Sequence, residues 1–158
     1  FRYVTPMTTR ELRPGEKDKI SISKSEMDKL YDDQKLLVIN EIHGIFYGTP
    51  KYLIDESLSN GLFPVLDWPA DKIDIMKKSY AGQLFVVYIY PESEDELYSR
   101  LSNDARDVNG NRFIAGKKEL NNFYNGSYDK YIDLKVMNRK SNSLDVAKTI
   151  YEAYLNSI

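Results

Sequence analysis

A short stretch near the start of the chain carries side chains that could hold a phosphate group. Arg10 and Arg13 lie three residues apart, and the loop-forming residues Pro14 and Gly15 follow them. The guanidinium group of arginine offers a planar fork of donors that matches phosphate oxygens in pairs. Two such groups on one loop can converge on a single anion. The spacing therefore predicts an anion site, with the carboxylate of Glu16 beside it as an acceptor.

Hydroxyl and carboxylate side chains farther along the chain could complete this site. Tyr47 and Thr49 can each donate a hydrogen bond from a hydroxyl group to a phosphate oxygen or to the edge of a base. Asp67 ends a mostly apolar segment that is typical of a strand. Ligands gather at the carboxyl ends of strands in open α/β sheets, so we expect Asp67 to face the same ligand.

The first third of the chain must position most of these residues, and its pattern predicts short strands and loops in a small mixed insert. One helix is expected over residues 24–33, with Ser23 or Ser25 as its N-cap. Met27 and Leu30 are expected on the buried face of that helix.

The remainder predicts an α/β fold. Thr49 is expected to cap a helix that has Pro50 in its first turn and ends at Gly61. Strands are then expected over residues 36–42, 62–68, 84–90 and 131–137, and further helices near 70–80, 92–102, 112–124 and 144–154. The continuous apolar run 84–90 predicts a strand buried on both faces. Alternating strands and helices over residues 62–158 predict a parallel sheet with crossover helices.

Composition excludes several classes of protein. The 158 residues are 42% apolar and 29% charged, which predicts one ordinary globular domain. The net charge of −2 comes with no basic stripe, so we expect no nucleic-acid partner. No apolar run approaches the ~20 residues of a membrane span, so we expect no membrane association and a cytoplasmic location. The chain has no cysteine and one histidine, which excludes disulfides and gives no zinc site.

Two motifs in this order resemble the signature of the guanylate kinases. They are residues 8–16 (TTRELRPGE) and residues 47–50 (YGTP), which begin 31 positions after Glu16. Weaker matches to the same family follow at residues 96–101 (ELYSRL), 112–120, 128–129 and 136–138. The resemblance covers nearly the whole chain, from the second strand of the family onward.

The resemblance implies both a fold and an activity. The fold is a three-layer parallel α/β sheet of the P-loop NTPase type in a single domain over residues 1–158. A nucleotide-binding insert is expected over about residues 5–52 and a lid over about 103–111. The implied activity is transfer of the γ-phosphate of ATP to GMP, with Mg²⁺ as cofactor and GMP and GDP as the small-molecule partners.

The resemblance also implies roles for individual residues. Substrate-binding roles fall on eight of them: Thr9, Arg10, Arg13, Glu16, Lys19, Tyr47, Thr49 and Asp67. Within this set the two arginines and the tyrosine contact the phosphate, Thr49 and Asp67 face the base, and Glu16 positions its neighbours. Guanine presents donors at N1 and N2, which carboxylates can accept. Catalytic roles fall on three arginines around the polar loop: Arg100, Arg106 and Arg112.

The sequence departs from the family at several places. No G-x-x-x-x-G-K-[ST] motif occurs in the 158 residues. The kinase hypothesis expects the ATP-phosphate loop upstream of Phe1, and the alternative is that the protein lacks it. Lys19 stands near the position of a phosphate-binding tyrosine, and Val38 near that of the guanine-reading glutamate. Glu41, three residues on, is expected on the other side of the strand. Asp104 replaces a lid arginine, for which Arg106 is expected to compensate.

Two alternatives remain open at this stage. Residues 15–23 and 43–44 also resemble a sister family, the ribose-bisphosphate phosphokinases, which phosphorylate a sugar phosphate and need no guanine reader. The run 8–10 and Asp67 favour the guanylate kinases instead. The third hypothesis is a non-catalytic guanylate-kinase-like domain that binds partner peptides in the former phosphate pocket. Nothing in the sequence indicates the oligomeric state.

Overall fold

Both halves of the chain combine strands with helices. The computed structural model describes four stretches: residues 1–42, 44–102, 109–139 and 143–158. They divide into two compact units, Phe1–Asp67 and Trp68–Ile158. The mixed α/β content agrees with the predicted class. The predicted lid, 103–111, lies outside the described residues except for its last three.

The first unit is built around a four-stranded sheet. Its elements are β1 (Arg2–Tyr3), β2 (Met7–Thr8), β3 (Ile20–Ser21), α1 (Lys24–Asp32), β4 (Leu36–Ile42), β5 (Ile45–Pro50), α2 (Lys51–Ser59) and β6 (Pro64–Val65). The sheet has the order β3-β2-β5-β4, with β2 parallel to β3 and antiparallel to β5, and β4 antiparallel to β5. β1 and β6 form a separate parallel pair.

Helix α1 begins where a predicted cap lies. The Ser23 side chain accepts from the backbone N–H of Glu26 at 3.2 Å, and the Glu26 carboxylate accepts from the backbone N–H of Ser23 at 2.8 Å. This reciprocal capping box satisfies two N–H groups at the start of the helix. Met27 is fully buried and Leu30 packs beside it, so the predicted buried face is confirmed.

One face of the four-stranded sheet is apolar and packs against α1. Met7, Met27 and Leu36 form a buried cluster there, and partly buried apolar side chains surround it: Ile22, Leu30, Ile39 and Phe46. A register shift between Leu36 and Val38 places Leu36 on this face although Val38 points to the other. The apolar face fixes the register of the sheet, because a one-residue slip would move every side chain to the wrong side.

The opposite face of the sheet carries polar side chains in cross-strand register. Tyr47 of β5 lies opposite Thr8 of β2 on one side and Asn40 of β4 on the other. Thr49 lies opposite Val38. Thr8, Asn40 and Thr49 are all buried, at 0%, 8% and 9% exposure. This face of the sheet therefore carries polar side chains that are shielded from bulk water.

Strand β5 is absent from the sequence prediction, and the predicted cap of α2 is wrong. Thr49 lies inside β5, whereas Pro50 is the N-cap residue and makes no side-chain capping hydrogen bond. The N–H of Lys51 instead donates to the carbonyl of Lys35 at 2.8 Å. Strand pairing thus continues up to the first residue of the helix, and the proline, which has no N–H, interrupts no ladder bond.

The second unit pairs two parallel strands and surrounds them with helices. Its elements are α3 (Ile73–Ser79), β7 (Val87–Tyr90), α4 (Glu94–Ser102), α5 (Asn111–Tyr124), β8 (Leu134–Met137) and α6 (Ser143–Leu155). β7 runs parallel to β8. The core contains Ala70, Ile73, Leu120, Phe123 and Tyr128. No helix in the described stretches combines the length and apolar character needed to cross a membrane.

The prediction of a strand over 84–90 buried on both faces is wrong in part. The strand begins only at Val87, and Ile89 is 49% exposed. Tyr88, on the other face, stacks on Phe123 with ring centroids 4.4 Å apart. Before the strand, the N–H of Val86 donates to the carboxylate of Asp133 at 2.7 Å instead of to a neighbouring strand.

Candidate functional site

The loop after β2 closes in a tight turn over residues 13–16. The carbonyl of Arg13 accepts from the N–H of Glu16 at 3.0 Å, Pro14 occupies the second position, and Gly15 has φ +79° at the third. These are the residues and the backbone bond of a type II turn, whose third position requires a positive φ. The turn holds Glu16 in place, because the N–H of Arg13 also donates to its carboxylate at 3.0 Å.

Arg10 and Glu16 form a bidentate ion pair inside this loop. Arg10 Nη1 lies 2.7 Å from Glu16 Oε2, and Nη2 lies 2.5 Å from Oε1. The two side chains are only 15% and 10% exposed. The Arg10 fork, followed by the N–H of Arg13, lowers the pKa of Glu16 to about 2. Glu16 is therefore an ionised carboxylate at any physiological pH.

Tyr47 joins the same cluster from β5. Its hydroxyl lies near the Arg10 guanidinium and is the second cause, after Glu16, of a pKa of Arg10 raised above its ordinary value. Arg10 Nε is buried and has no hydrogen-bond partner among the described residues. A buried donor without a partner is costly, so an anionic ligand at this edge of the guanidinium would remove a penalty.

Hydroxyl groups fix the backbone around Arg10. Thr9 makes two hydrogen bonds to Phe46 of β5. Its N–H donates to the carbonyl of Phe46, and its side-chain Oγ1 accepts from the N–H of Phe46, both at 3.0 Å. Ser21 Oγ donates to the carbonyl of Arg10 at 2.9 Å. The loop that carries Arg10 is thus attached to β5 through Thr9 and to β3 through Arg10, and these bonds hold the backbone from which the Arg10 side chain extends.

Two further cations lie on the same loop. Lys19 Nζ stands 3.7 Å from Glu16 Oε1 and 2.8 Å from Asp18 Oδ2. The side chain of Arg13 is exposed at the turn. Of the eight proposed substrate-binding residues, the structure brings Arg10, Glu16, Lys19 and Tyr47 into one cluster. Thr9 braces it, and Thr49 lies two residues from Tyr47 on the same face of β5.

Asp67 is positioned by a residue that the sequence prediction missed. Tyr3 Oη donates to Asp67 Oδ2 at 3.1 Å, and Tyr3 pairs with Val65 across the parallel strands β1 and β6. Burial first, and the carboxylate of Asp67 second, raise the pKa of Tyr3 to about 12. Asp67 is exposed beyond the carboxyl end of β6, where it was expected. No local signal links two residues 64 positions apart.

Arg100 of the second unit is tied to the carboxyl ends of β7 and β8. Its Nη2 donates to Glu96 Oε1 and to the carbonyl of Asn138, both at 2.5 Å, and Asn138 N–H donates to the carbonyl of Tyr90 at 2.8 Å. Arg100 Nε is buried without a partner in the described structure. Arg112 is the second residue of α5 and is half-buried. Arg106 lies outside the described residues.

The described residues present donors that suit an anion. No group of three or more His, Cys, Asp or Glu side chains within them could hold a metal. The 158 residues also lack the glycine- and lysine-containing loop that cradles the phosphates of ATP. What they do present is a cluster of guanidinium, ammonium and hydroxyl donors.

Comparisons with known proteins point to one family. A family model described as guanylate kinase matches residues 1–148. The chain is 27% identical to a guanylate kinase of Oceanobacillus iheyensis over 97% of this chain and 74% of the relative. It is 31% identical to a guanylate kinase of Bartonella henselae over 93% of this chain and 67% of the relative. It is 36% identical to a guanylate kinase of Bordetella pertussis over 72% of this chain and 55% of the relative.

The fold has a counterpart among solved structures. The crystal structure of guanylate kinase from Anaplasma phagocytophilum matches with a TM-score of 0.71 and 19% sequence identity. The match covers 99% of this chain and 73% of that one. Nearly all of this chain therefore follows a fold already seen in a larger protein.

Proposed function

The chain belongs to the guanylate kinase family, and from this premise we propose that it binds the acceptor in a transfer of the γ-phosphate of ATP to GMP. One observation supports this above the others: Arg10, held by Glu16, keeps a buried Nε donor without a partner among the described residues. A phosphomonoester oxygen is the ligand that such a donor suits.

The acceptor phosphate would be held by donors from two distant stretches of the chain. Arg10 Nε and the Tyr47 hydroxyl supply fixed donors, and Arg13 and Lys19 supply positive charge against a dianion. Glu16 holds the Arg10 guanidinium in a single orientation. Phosphoryl transfer depends on positioning and charge neutralisation more than on covalent chemistry by the protein. Fixing the acceptor oxygen is therefore the contribution that this site makes.

The proposal also includes roles for the remaining residues and for the cofactors. Thr49 and Asp67 would face the base, and Arg100, Arg106 and Arg112 would approach the phosphates during transfer. ATP and Mg²⁺ belong to this proposal through the family alone, since the sequence has no G-x-x-x-x-G-K-[ST] loop and the described residues have no metal-ligand cluster. The three-layer parallel sheet, the insert and lid within a single domain, and a cytoplasmic location belong to the same proposal.

The test is a coupled phosphotransfer assay on the complete protein with ATP, Mg²⁺ and one of four acceptors: GMP, AMP, dGMP and ribose 1,5-bisphosphate. We expect turnover of GMP, and its loss in Arg10→Ala. Arg2→Ala is the matched control, because Arg2 pairs with Glu56 on the surface at 3.3 Å. Turnover of the sugar phosphate alone would replace GMP as acceptor. Binding of GMP without turnover of any acceptor would favour a non-catalytic domain.

A further inference from the structure

A buried amide lies on the same sheet face as the phosphate donors. Asn40 of β4 is directly opposite Tyr47 of β5, and Tyr47 is directly opposite Thr8 of β2. Arg10 lies two residues after Thr8 on the chain, and the Tyr47 hydroxyl is near enough to its guanidinium to raise the pKa of Arg10. Neighbouring strands are about 4.8 Å apart, so Asn40 stands roughly one strand beyond Tyr47, away from the arginine. That is the direction in which the nucleoside of a bound monophosphate can extend.

The other side chains of β4 near this point cannot read a base. Val38 shares the face of Asn40, because residues two apart in a strand point the same way, but it has no polar side-chain atom. Glu41 pairs with Phe46, which packs in the apolar cluster on the opposite face, and its own side chain is exposed. Asn40, at 8% exposure, is therefore the polar side chain that β4 presents to the site.

We propose that Asn40 reads the base of the acceptor and that the site, as a result, discriminates weakly between guanine and adenine. This inference rests on the proposed function of the site. A carboxylate only accepts, so it suits the two donors of guanine at N1 and N2. A side-chain amide both accepts and donates. It can pair with N1–H and O6 of guanine, and after rotation of the amide with N1 and the N6 amino group of adenine.

The remaining carboxylate proposed for the base does not restore strict selection. Asp67 Oδ2 already accepts the Tyr3 hydroxyl at 3.1 Å, and the residue is exposed to water. Exposed hydrogen bonds discriminate little, since water replaces whichever partner is lacking. Selection by Asn40 would therefore dominate, and the N2 amino group of guanine would go largely unread.

The decisive measurement is equilibrium binding of GMP, IMP and AMP to the complete protein by calorimetry, without ATP. IMP lacks the N2 amino group, so we expect GMP and IMP to bind within about 3-fold of each other, and AMP within about 10-fold of GMP. A GMP preference over both of about 100-fold or more would overturn the inference. No binding of any of the three would refute the proposed function, and this inference with it.

Variants at Asn40 supply a second test. Asn40→Asp should raise the preference for GMP over AMP by about 10-fold or more, since a carboxylate gains a second guanine donor and opposes the adenine N1 lone pair. Asn40→Ala should weaken GMP and AMP alike, by about 5- to 20-fold. Glu41→Gln, on the opposite face, is the control and should leave the preference unchanged. If Asn40→Asp binds GMP but keeps the original preference, Asn40 does not read the base.

Discussion

Arg10 and Glu16 meet end to end, with both Nη atoms of the guanidinium on both oxygens of the carboxylate at 2.7 and 2.5 Å. This geometry occupies the far edge of the fork and leaves the Nε side for another partner. A carboxylate beside an anion site weakens its net positive charge. It also fixes the plane of the guanidinium, and a fixed donor loses less entropy when the ligand binds. Glu16 therefore acts as a positioning residue.

Acid should weaken the fold through Glu16. Its pKa is about 2 in the folded protein against an ordinary 4.5, so the unfolded chain binds the proton more tightly. The stabilisation is present above about pH 4.5 and is lost as the pH falls toward about 2. Urea denaturation across this window should show a smaller decline in unfolding free energy for Glu16→Gln than for the unaltered protein. Glu11→Gln, on the same loop, should keep the original decline.

Replacing Arg10 by lysine should weaken GMP binding by about 10- to 100-fold, although the charge is kept. Lysine offers a point charge and cannot hold Glu16 with two bonds while donating sideways to a phosphate. Calorimetry with GMP measures the loss. Arg2→Lys makes the same chemical change at a surface ion pair and should bind GMP as before. Equal GMP affinity in Arg10→Lys and the unaltered protein would contradict the proposed phosphate contact.

The hydrogen bond between Tyr3 and Asp67 can be tested by titration. Tyr3 should titrate near 12, because burial and the neighbouring carboxylate both oppose its ionisation. In Asp67→Asn the pKa should fall toward the ordinary 10 but not reach it, since burial remains the larger cause. NMR of selectively labelled tyrosine can follow this single ring among the 13 tyrosines. An unchanged titration in Asp67→Asn would show that the two side chains do not interact in solution.

Local patterns in the sequence were sufficient to predict the loop that carries Arg10 and Arg13 and to predict helix α1. Pro14 and Gly15 suit only a few turns, and Ser23 with Glu26 three residues later is a capping signal that needs no tertiary context. The positions of Asn40 and Tyr3 do not follow from local patterns, for a different reason. Which face Asn40 occupies depends on a register shift in β4, and the partner of Tyr3 is 64 residues away. Such pairings arise from the assembled sheets.

The same contrast explains the misplaced cap. Thr49 before Pro50 is a good local signal for a helix start, yet the strand pairing of β5 extends through both residues. Strand pairing prevailed over the local preference, and it is continued by a hydrogen bond from the N–H of Lys51 to the carbonyl of Lys35, the residue just before β4. Ligand contacts remain predictions for the other proposed site residues, which are Arg13, Thr49, Asp67 and the arginines of the second unit.

Removing the cap of α1 should lower stability without altering ligand binding. Ser23→Ala deletes one acceptor at the helix start, which costs about 1 kcal/mol in typical proteins. Denaturant midpoints measure the change. Ser59→Ala is the matched control, because this exposed serine of α2 donates to the carbonyl of Asp55 in its own helix at 2.8 Å and takes no part in the capping box of Ser23 and Glu26. If both variants lose the same stability, the capping box does not account for the effect. GMP affinity should be equal in both, since α1 packs on the apolar face of the sheet.

Arg100 should have a structural role that can be separated from any catalytic one. Its Nη2 joins Glu96 of α4 to the carbonyl of Asn138 just beyond β8, and the side chain is 28% exposed. Arg100→Ala should lower the unfolding free energy by about 1–3 kcal/mol, because a backbone carbonyl and a carboxylate lose a charged donor. Glu96→Gln should lower it by less, since the bond to Asn138 survives. A fall in kcat in Arg100→Ala alone, with turnover kept in Glu96→Gln, would mark a contact with the reacting phosphates. An equal fall in both would mean that Arg100 serves the reaction only by holding α4 against the strand end.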